Sequence, residues 1–380
     1  MKRIFSLCLI GVLLIGLVPV AALAAPEVPA KSALLMDVAT GTVLYESNPH
    51  EKLPPASVTK VMTMLLIMEA IDDGRLNWTD TVTASETAAA KGGSQIYLKE
   101  GETMSVEDMV KSIAVSSAND CACAMAEHLC GSEAAFVEKM NQRAKELGMN
   151  DTNFINCTGL DDGPEGKNHV TSAYDIAIMS RQLLKYHPDI TRFTTIWMDT
   201  VRNGQFGLSN TNKLVRFYDG ATGLKTGFTS GAGYCLSASA KRDGMELIAV
   251  VMGSETSKDR FNACKSLLDY GFAGYCLVTP EVENASIPVT LGKESAVVAV
   301  PGQQPELLIE KSQKNSLTVT TELSQQLQAP VYKGQRLGTM TIRVGEQILA
   351  EIPLVAENTV PKRSFWELVV EVLQKLCMAK

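Results

Sequence analysis

From Val58 to Ile71 the chain is almost continuously apolar and built of good helix formers, with Pro54 and Pro55 ahead of it and Gly74 behind. Prolines suit a helix start and glycine a helix stop, so one helix is expected across this run. A helix that is apolar all round has no face to offer water and belongs in the interior. The domain must therefore be large enough to surround it. Ser57 then sits at the N-terminus of a core helix, with Lys60 one turn further in.

At the N-terminus, Lys2 and Arg3 precede an uncharged apolar stretch from Ile4 to Leu17, then Pro19 and the small-residue run Ala21-Ala22-Leu23-Ala24-Ala25. This is a signal peptide's order of parts, with Ala22 and Ala24 placed for a cut after Ala24, a cut after Ala25 being nearly as good. An uncleaved anchor fits less well, because the apolar run falls short of the ~20 residues a spanning helix needs. The mature chain is expected outside the cytoplasm. It retains roughly 350 residues, more than one domain usually holds, so two domains are expected. The net charge of -7 comes without a long run of one sign. It serves mainly solubility and gives no reason to expect nucleic acid as a partner. Cys8 leaves with the signal segment; Cys121, Cys123, Cys130, Cys157, Cys235, Cys264, Cys276 and Cys377 remain, scattered through a chain too large to need a disulfide scaffold. Neither a CxxC nor a His/Cys pair has metal-ligand spacing, so no metal or other cofactor is implied. Buried free thiols are expected, since unpaired cysteine packs as a small hydrophobe.

A hairpin is expected over Ser32 to Glu46, turning at Ala39-Thr40-Gly41. Ser105 with Asp108 opens a later helix in capping-box fashion, Gly131 and Gly148 close others, and Thr171 opens one that carries Asp175 to Tyr186. After Lys213 the pattern changes: Gly233 to Ala240 alternates, Leu247 to Met252 is apolar and β-branched, and Asp259 to Tyr270 returns to helical spacing. The reading is an α+β domain, an antiparallel sheet flanked by helices. From Tyr275 short Val- and Thr-rich runs such as Ala296 to Val300, Leu317 to Thr321 and Thr339 to Val344 alternate with glycines, which predicts a small all-β domain. In the tail, Phe365, Val369, Val372, Leu373 and Leu376 share one helical face. Too short and too charged to span a bilayer, it suits lying at a membrane surface, although packing on its own domain is an alternative. The expected divisions are 1–24 signal peptide, 25–274 α+β domain, 275–360 β domain and 361–380 amphipathic helix.

Ser57-Val58-Thr59-Lys60 is the chain's SxxK element. Residues i and i+3 share a helical face, so the Lys60 amine reaches the Ser57 hydroxyl, and the helix N-terminus favours a developing alkoxide. A buried lysine loses its preference for charge and can act as a base near neutral pH. Ser117-Ala118-Asn119 adds a second hydroxyl and an amide in an SxN arrangement at a break between helices. Lys225-Thr226-Gly227 adds a cation and a hydroxyl on a strand whose glycine lets another backbone approach. The three elements occur in the order and at about the separations that an SxxK, SxN, KTG enzyme requires.

On these elements, and on Gly93-Ser94-Gln95-Ile96-Tyr97-Leu98 and Lys225-Thr226-Gly227-Phe228-Thr229, the chain resembles the penicillin-recognising serine peptidases. Within them it resembles the low-molecular-mass D-alanyl-D-alanine carboxypeptidases. The resemblance implies a β-lactamase/transpeptidase-like catalytic domain, a β-rich second domain and an amphipathic anchor. It further implies Ser57 as nucleophile, Lys60 as base, Ser117 as proton relay, Asn119 as orienting group and Lys225 as a source of positive potential. The backbone N–H groups of Ser57 and Phe228 would form the oxyanion hole, while Thr226, Gly227 and Arg260 would meet the substrate and its terminal carboxylate. The implied partners are peptidoglycan stem peptides ending in D-Ala-D-Ala, β-lactams and a membrane surface. His169 is read as structural, because a lysine base leaves a histidine nothing to do; His50, His128 and His187 lack partners at catalytic or metal spacing. Two alternatives remain: a class A β-lactamase, for which an activating glutamate is missing, and a silent binding protein on the same fold.

Overall fold

The computed structural model describes residues 24–161, 165–280 and 284–378. The predicted signal peptide lies outside them except for Ala24, as does the side chain of Cys377. The chain divides after Gly274 into two compact units.

The first unit is organised around β1 (Ser32–Asp37), β2 (Val43–Ser47), β3 (Ala221–Thr229), β4 (Gly233–Arg242) and β5 (Met245–Ser254). They form one five-stranded sheet in the order β2-β1-β5-β4-β3, antiparallel throughout. The sheet is covered on both faces, which explains why its strands read as apolar runs as much as alternating ones. Leu34, Met36, Ile248, Val250 and Met252 point into the main core. Leu35 and Leu247 alternate to the other face, where they meet Gly271 of α6 (Ser257–Gly274).

The main core surrounds α1 (Lys60–Asp72), whose residues from Lys60 to Met68 are all buried. The expected core helix is there, with one difference at its start. Ala56–Thr59 forms a 3-10 turn that runs into the α-helix at Lys60, so Ser57 stands in a tighter turn than α-helical spacing supposes. Around α1 lie α2 (Val106–Ser116), α3 (Asn119–Cys130), α4 (Glu133–Glu146) and α5 (Ala173–Tyr186). Ser105 caps α2 by accepting the Asp108 N–H at 3.1 Å, and Gly131 ends α3 in the left-handed region. Ser172, not Thr171, caps α5, accepting the Asp175 N–H at 3.2 Å. Thr171 is drawn away into a bridge with Leu53, a tertiary pairing that local sequence does not announce.

In the second unit, β6 (Ala285–Thr290), β7 (Ala296–Pro301), β8 (Leu317–Leu323), β9 (Leu327–Gln328), β10 (Arg336–Val344) and β11 (Gln347–Ala356) form one sheet. Its order is β8-β10-β11-β7-β6-β9, parallel only between β6 and β9. Ile287, Val297, Met340, Ile342, Ile352 and Leu354 fill its core. The last described element is α7 (Phe365–Met378).

The seven cysteines described as thiols, Cys121, Cys123, Cys130, Cys157, Cys235, Cys264 and Cys276, are free, and five of them are buried. The buried ones pack as small hydrophobes, and some also donate the S–H to a nearby oxygen, as Cys264 does to the Ala249 carbonyl at 3.6 Å.

Candidate active site

The site begins with a turn that cannot relax. Ala56 holds φ at 49°, unusual for a residue with a Cβ, and delivers Ser57 partly exposed at the end of the core helix. Two neighbours hold this turn in place. On one side β3 passes so closely that a Cβ on Gly227 would lie 2.5 Å from the Pro55 carbonyl oxygen and 3.1 Å from the Ser57 nitrogen. On the other, a Cβ on Gly159 would come 1.8 Å from the Ala56 carbonyl oxygen, and Gly159 sits at φ +87°. Only glycine permits either approach.

Lys60 is fully buried, and its Nζ stands 3.0 Å from Ser57 Oγ and 2.7 Å from the Thr158 carbonyl oxygen. Burial pushes its pKa down to about 7, against the pull of nearby Cys157 and Asp120, which favour the charged form. A neutral amine accepts the serine proton through its lone pair, while the carbonyl of Thr158 fixes the direction of the side chain. The Thr158 carbonyl is presented by an Asx turn, in which Asn156 Oδ1 accepts from the N–H groups of Thr158 and Gly159 at 3.1 and 2.7 Å. Sequence reasoning missed Asn156, Thr158 and Gly159. The Asn-x-x-Gly spacing is a turn signal, but nothing local says which side chain its carbonyl will meet.

The second element arrives on the break between α2 and α3, where Ser117 adopts the left-handed conformation at φ 62°. Its Oγ is buried without a partner. Asn119 donates its Nδ2 to the Gly92 carbonyl at 2.7 Å and its backbone N–H to the Ser94 carbonyl at 2.7 Å, while its Oδ1 is left unpaired. The loop 92–98 is pinned to α3 in return, because buried Asp120 accepts the N–H groups of Ile96 and Leu98 at 3.1 and 3.0 Å.

The third element lies along β3. Lys225 is buried, and its Nζ reaches the Thr226 carbonyl at 3.0 Å. Burial, with the charges of Lys60 and Arg260, drives its pKa well down, so an incoming carboxylate would restore its charge. Thr226 Oγ1 donates to Thr211 Oγ1 at 2.6 Å. Phe228, half-exposed, stacks on Tyr234 with ring centroids 4.3 Å apart. Arg260 does not lie free on the surface of its helix. It is 7% exposed, donates Nη1 to the carbonyls of Gly227 and Cys235 at 2.8 and 3.2 Å, and leaves Nε unpaired.

His169 sits below the turn. Its Nδ1 accepts the Ile155 N–H at 3.1 Å, which leaves Nε2 to donate to Thr59 Oγ1 at 2.7 Å; Thr59 passes the chain on to the Ala56 carbonyl at 2.9 Å. Burial pushes its pKa down to about 4. It is a neutral strut of the 3-10 turn. His50 and His187 do have carboxylate partners, Asp151 at 2.8 Å and Asp72 at 2.5 Å, from residues far away in the chain.

Three of the four buried polar atoms left without a partner among the described residues, Ser117 Oγ, Asn119 Oδ1 and Arg260 Nε, belong to these elements. Orphaned buried polar groups are costly and rare, so each of these is a place where a ligand could supply the missing bond.

The family model of the D-alanyl-D-alanine carboxypeptidases, peptidase S11, matches residues 20–256, and that of the penicillin-binding protein 5 C-terminal domain matches residues 280–362. D-alanyl-D-alanine carboxypeptidase DacF of Bacillus subtilis is 43% identical over 380 residues, which cover 96% of this chain and 96% of that protein. The structure of penicillin binding protein 5 from Haemophilus influenzae is similar with a TM-score of 0.77 at 32% identity, covering 90% of this chain and 100% of that one. Penicillin-Binding Protein D2 from Listeria monocytogenes, in its ampicillin-bound form, gives a TM-score of 0.60 at 33% identity over 66% of this chain and 100% of that one. A chain matched along nearly its whole length in this way belongs to the D-alanyl-D-alanine carboxypeptidase family of peptidases.

Proposed function

We propose that Ser57 is the nucleophile and Lys60 the general base of a serine carboxypeptidase that removes the terminal D-alanine from peptidoglycan stem peptides. The observation that carries this reading is the buried Lys60 amine, 3.0 Å from Ser57 Oγ and with its pKa pushed down to about 7. Ser57 Oγ attacks the carbonyl of the penultimate D-alanine as Lys60 Nζ takes its proton. The backbone N–H groups of Ser57 and Phe228 receive the negative charge that develops on the carbonyl oxygen. Ser117 passes the proton to the leaving amine, free D-alanine departs, and water releases the acyl group. Asn119 Oδ1 takes a hydrogen bond from the substrate. Thr226, Lys225 and Arg260 form the end of the cleft that meets the terminal carboxylate, Arg260 by holding the Gly227 backbone as much as by its own charge.

The whole-chain arrangement belongs to the same proposal. Residues 1–24 direct export and are removed, 25–274 carry the chemistry, 275–360 form the β domain, and 361–380 rest on the extracytoplasmic face of the membrane. Exposed Phe365, Trp366, Val370 and Leu373 on α7 support this last part. A β-lactam, as an acylating stand-in for the D-alanyl-D-alanine end, is expected to remain on Ser57.

The test is D-alanine release from diacetylated Lys-D-Ala-D-Ala by the chain without its signal segment. Release that Ser57→Ala and Lys60→Ala both abolish supports the assignment. Rapid turnover of a β-lactam without D-alanine release would favour a lactamase instead.

A further inference from the structure

At the start of α4, behind the cleft, Glu133 is bonded through both carboxylate oxygens. Oε1 accepts the backbone N–H and the thiol of Cys157, each at 3.2 Å. Oε2 accepts Lys91 Nζ at 2.5 Å, and the Cys123 thiol points to it from 3.9 Å. What matters is where these partners sit in the chain. Lys91 immediately precedes Gly92, whose carbonyl holds Asn119 Nδ2 at 2.7 Å. Cys157 immediately precedes Thr158, whose carbonyl holds Lys60 Nζ at 2.7 Å. One carboxylate thus bonds the backbone next to Thr158 and the side-chain amine of the residue next to Gly92, the main-chain anchors of the base and of the orienting amide.

We infer that Glu133 is a positioning residue for acylation, fixing the two loops that carry Gly92 and Thr158 and through them the spacing of Asn119 and Lys60. The inference rests on the reading of Ser57 and Lys60 given above. An ion pair kept only for stability could lie anywhere, and buried pairs are often replaced by apolar groups at little cost. This one instead joins the two segments whose carbonyls aim the reactive side chains. The brace persists at neutral pH. Burial works against charge on Glu133, yet the bonds from Lys91 and Cys157 outweigh it and hold the carboxyl below its ordinary range. Lys91 is likewise held above its ordinary value by Glu133 in spite of burial. Glu133 faces Lys91, Cys123 and Cys157; Lys60 in turn faces Cys157, Asp120, Lys225 and His169. Glu133 therefore acts on the base through the backbone of 157–158.

The experiment is acylation by a fluorescent penicillin, with its rate constant followed from pH 5.5 to 9. It compares the whole chain, Ser57→Ala, Glu133→Gln, and the double variant Lys91→Met with Glu133→Gln, which leaves no charge unpaired. Ångström-scale misplacement of reacting groups costs up to ~100-fold, so the double variant, folded by circular dichroism and cooperative melting, is expected to acylate at least about tenfold more slowly. Its acid limb is expected to move to higher pH as a loosened 156–160 loop lets water reach Lys60. If Glu133→Gln alone fails to fold, the double variant decides. A folded double variant with the unsubstituted rate and limb would overturn the inference, and so would a slower rate with the limb unmoved, which a purely structural role would give. Absence of Ser57-dependent labelling in the unsubstituted chain would instead overturn the site reading itself, and this inference with it.

Discussion

A lysine can take a proton from serine only when it is neutral, and Lys60 reaches that state by losing water rather than by gaining a partner of like charge. Acylation of Ser57 should therefore rise about tenfold per pH unit below 7 and level off above it, following the deprotonation of a group whose pKa is about 7. A flat profile from pH 5.5 to 8 in the rate of penicillin labelling would remove Lys60 as the base. His169 makes a second, separable pH statement. Buried and neutral, with its pKa near 4 instead of 6.5, it binds fewer protons folded than unfolded between those values. Its contribution is fully present above about pH 6.5 and is lost as pH falls toward 4, roughly 3 kcal/mol in all. His169→Gln should lower stability at pH 7 by breaking the Thr59 strut, yet flatten the fall between pH 6.5 and 4. Denaturant melts of both proteins at pH 7 and 4.5 check this. Ser57, Lys60 and Lys225, the proposed nucleophile, base and cation, stand out in the sequence because each lies in a short motif whose chemistry is local. The carbonyls of Gly92 and Thr158, which hold Asn119 and Lys60, do not, because a backbone carbonyl looks the same at every position until the fold brings it somewhere. Arg260 was legible as a residue but not in its setting, since helical periodicity gives no hint that β3 and β4 present carbonyls to it.

At the scale of elements, the cleft depends on β3 lying almost against the 3-10 turn. Gly227 is where they touch, so Gly227→Ala places a methyl group 2.5 Å from the Pro55 oxygen and forces strand and turn apart. Both are backbone, so no side chain can swing aside. The expected result is penicillin acylation reduced by ~100-fold together with a lowered melting temperature, because a clash of backbone against backbone displaces both the reacting groups and buried Ala56. Retained acylation would mean that the turn is softer than its packing implies. The elements themselves follow from the sequence where periodicity is strong: the apolar α1, the hairpin of β1 and β2, the alternating β4. Capping logic found Ser105 but chose Thr171 over Ser172, since both residues satisfy the local rule and only the pairing of Thr171 with Leu53 separates them. The 3-10 start of α1 was equally out of reach, because it is imposed by the approach of two glycine-bearing segments from elsewhere in the chain.

For the whole molecule, the proposed attachment to a membrane surface rests on the apolar side chains that the two cores leave uncovered. Each compact unit closes its own core, around α1 in the first and between the strands from β6 to β11 in the second. Four apolar residues of α7 do not share in this. Phe365 and Trp366 are 72% and 74% exposed, and Val370 and Leu373 are more than half exposed. No helix among the described residues is long and apolar enough to cross a membrane. A helix of this kind gains by lying in the headgroup region, with its rings at the boundary and its charged face toward water. Burying one large apolar side chain is worth about 1.5–3 kcal/mol, so four such residues can hold the protein at a surface if most of that gain survives the cost of association. The expected outcome is that the exported full chain fractionates with membranes and a chain ending at Glu357 appears in the soluble fraction with D-alanine release per molecule unchanged. Replacing Phe365, Trp366 and Leu373 together by serine should have the same effect without shortening the chain. If the truncated protein stays on the membrane, the attachment lies elsewhere; if it becomes soluble but inactive, α7 supports the fold and its exposed residues need another explanation.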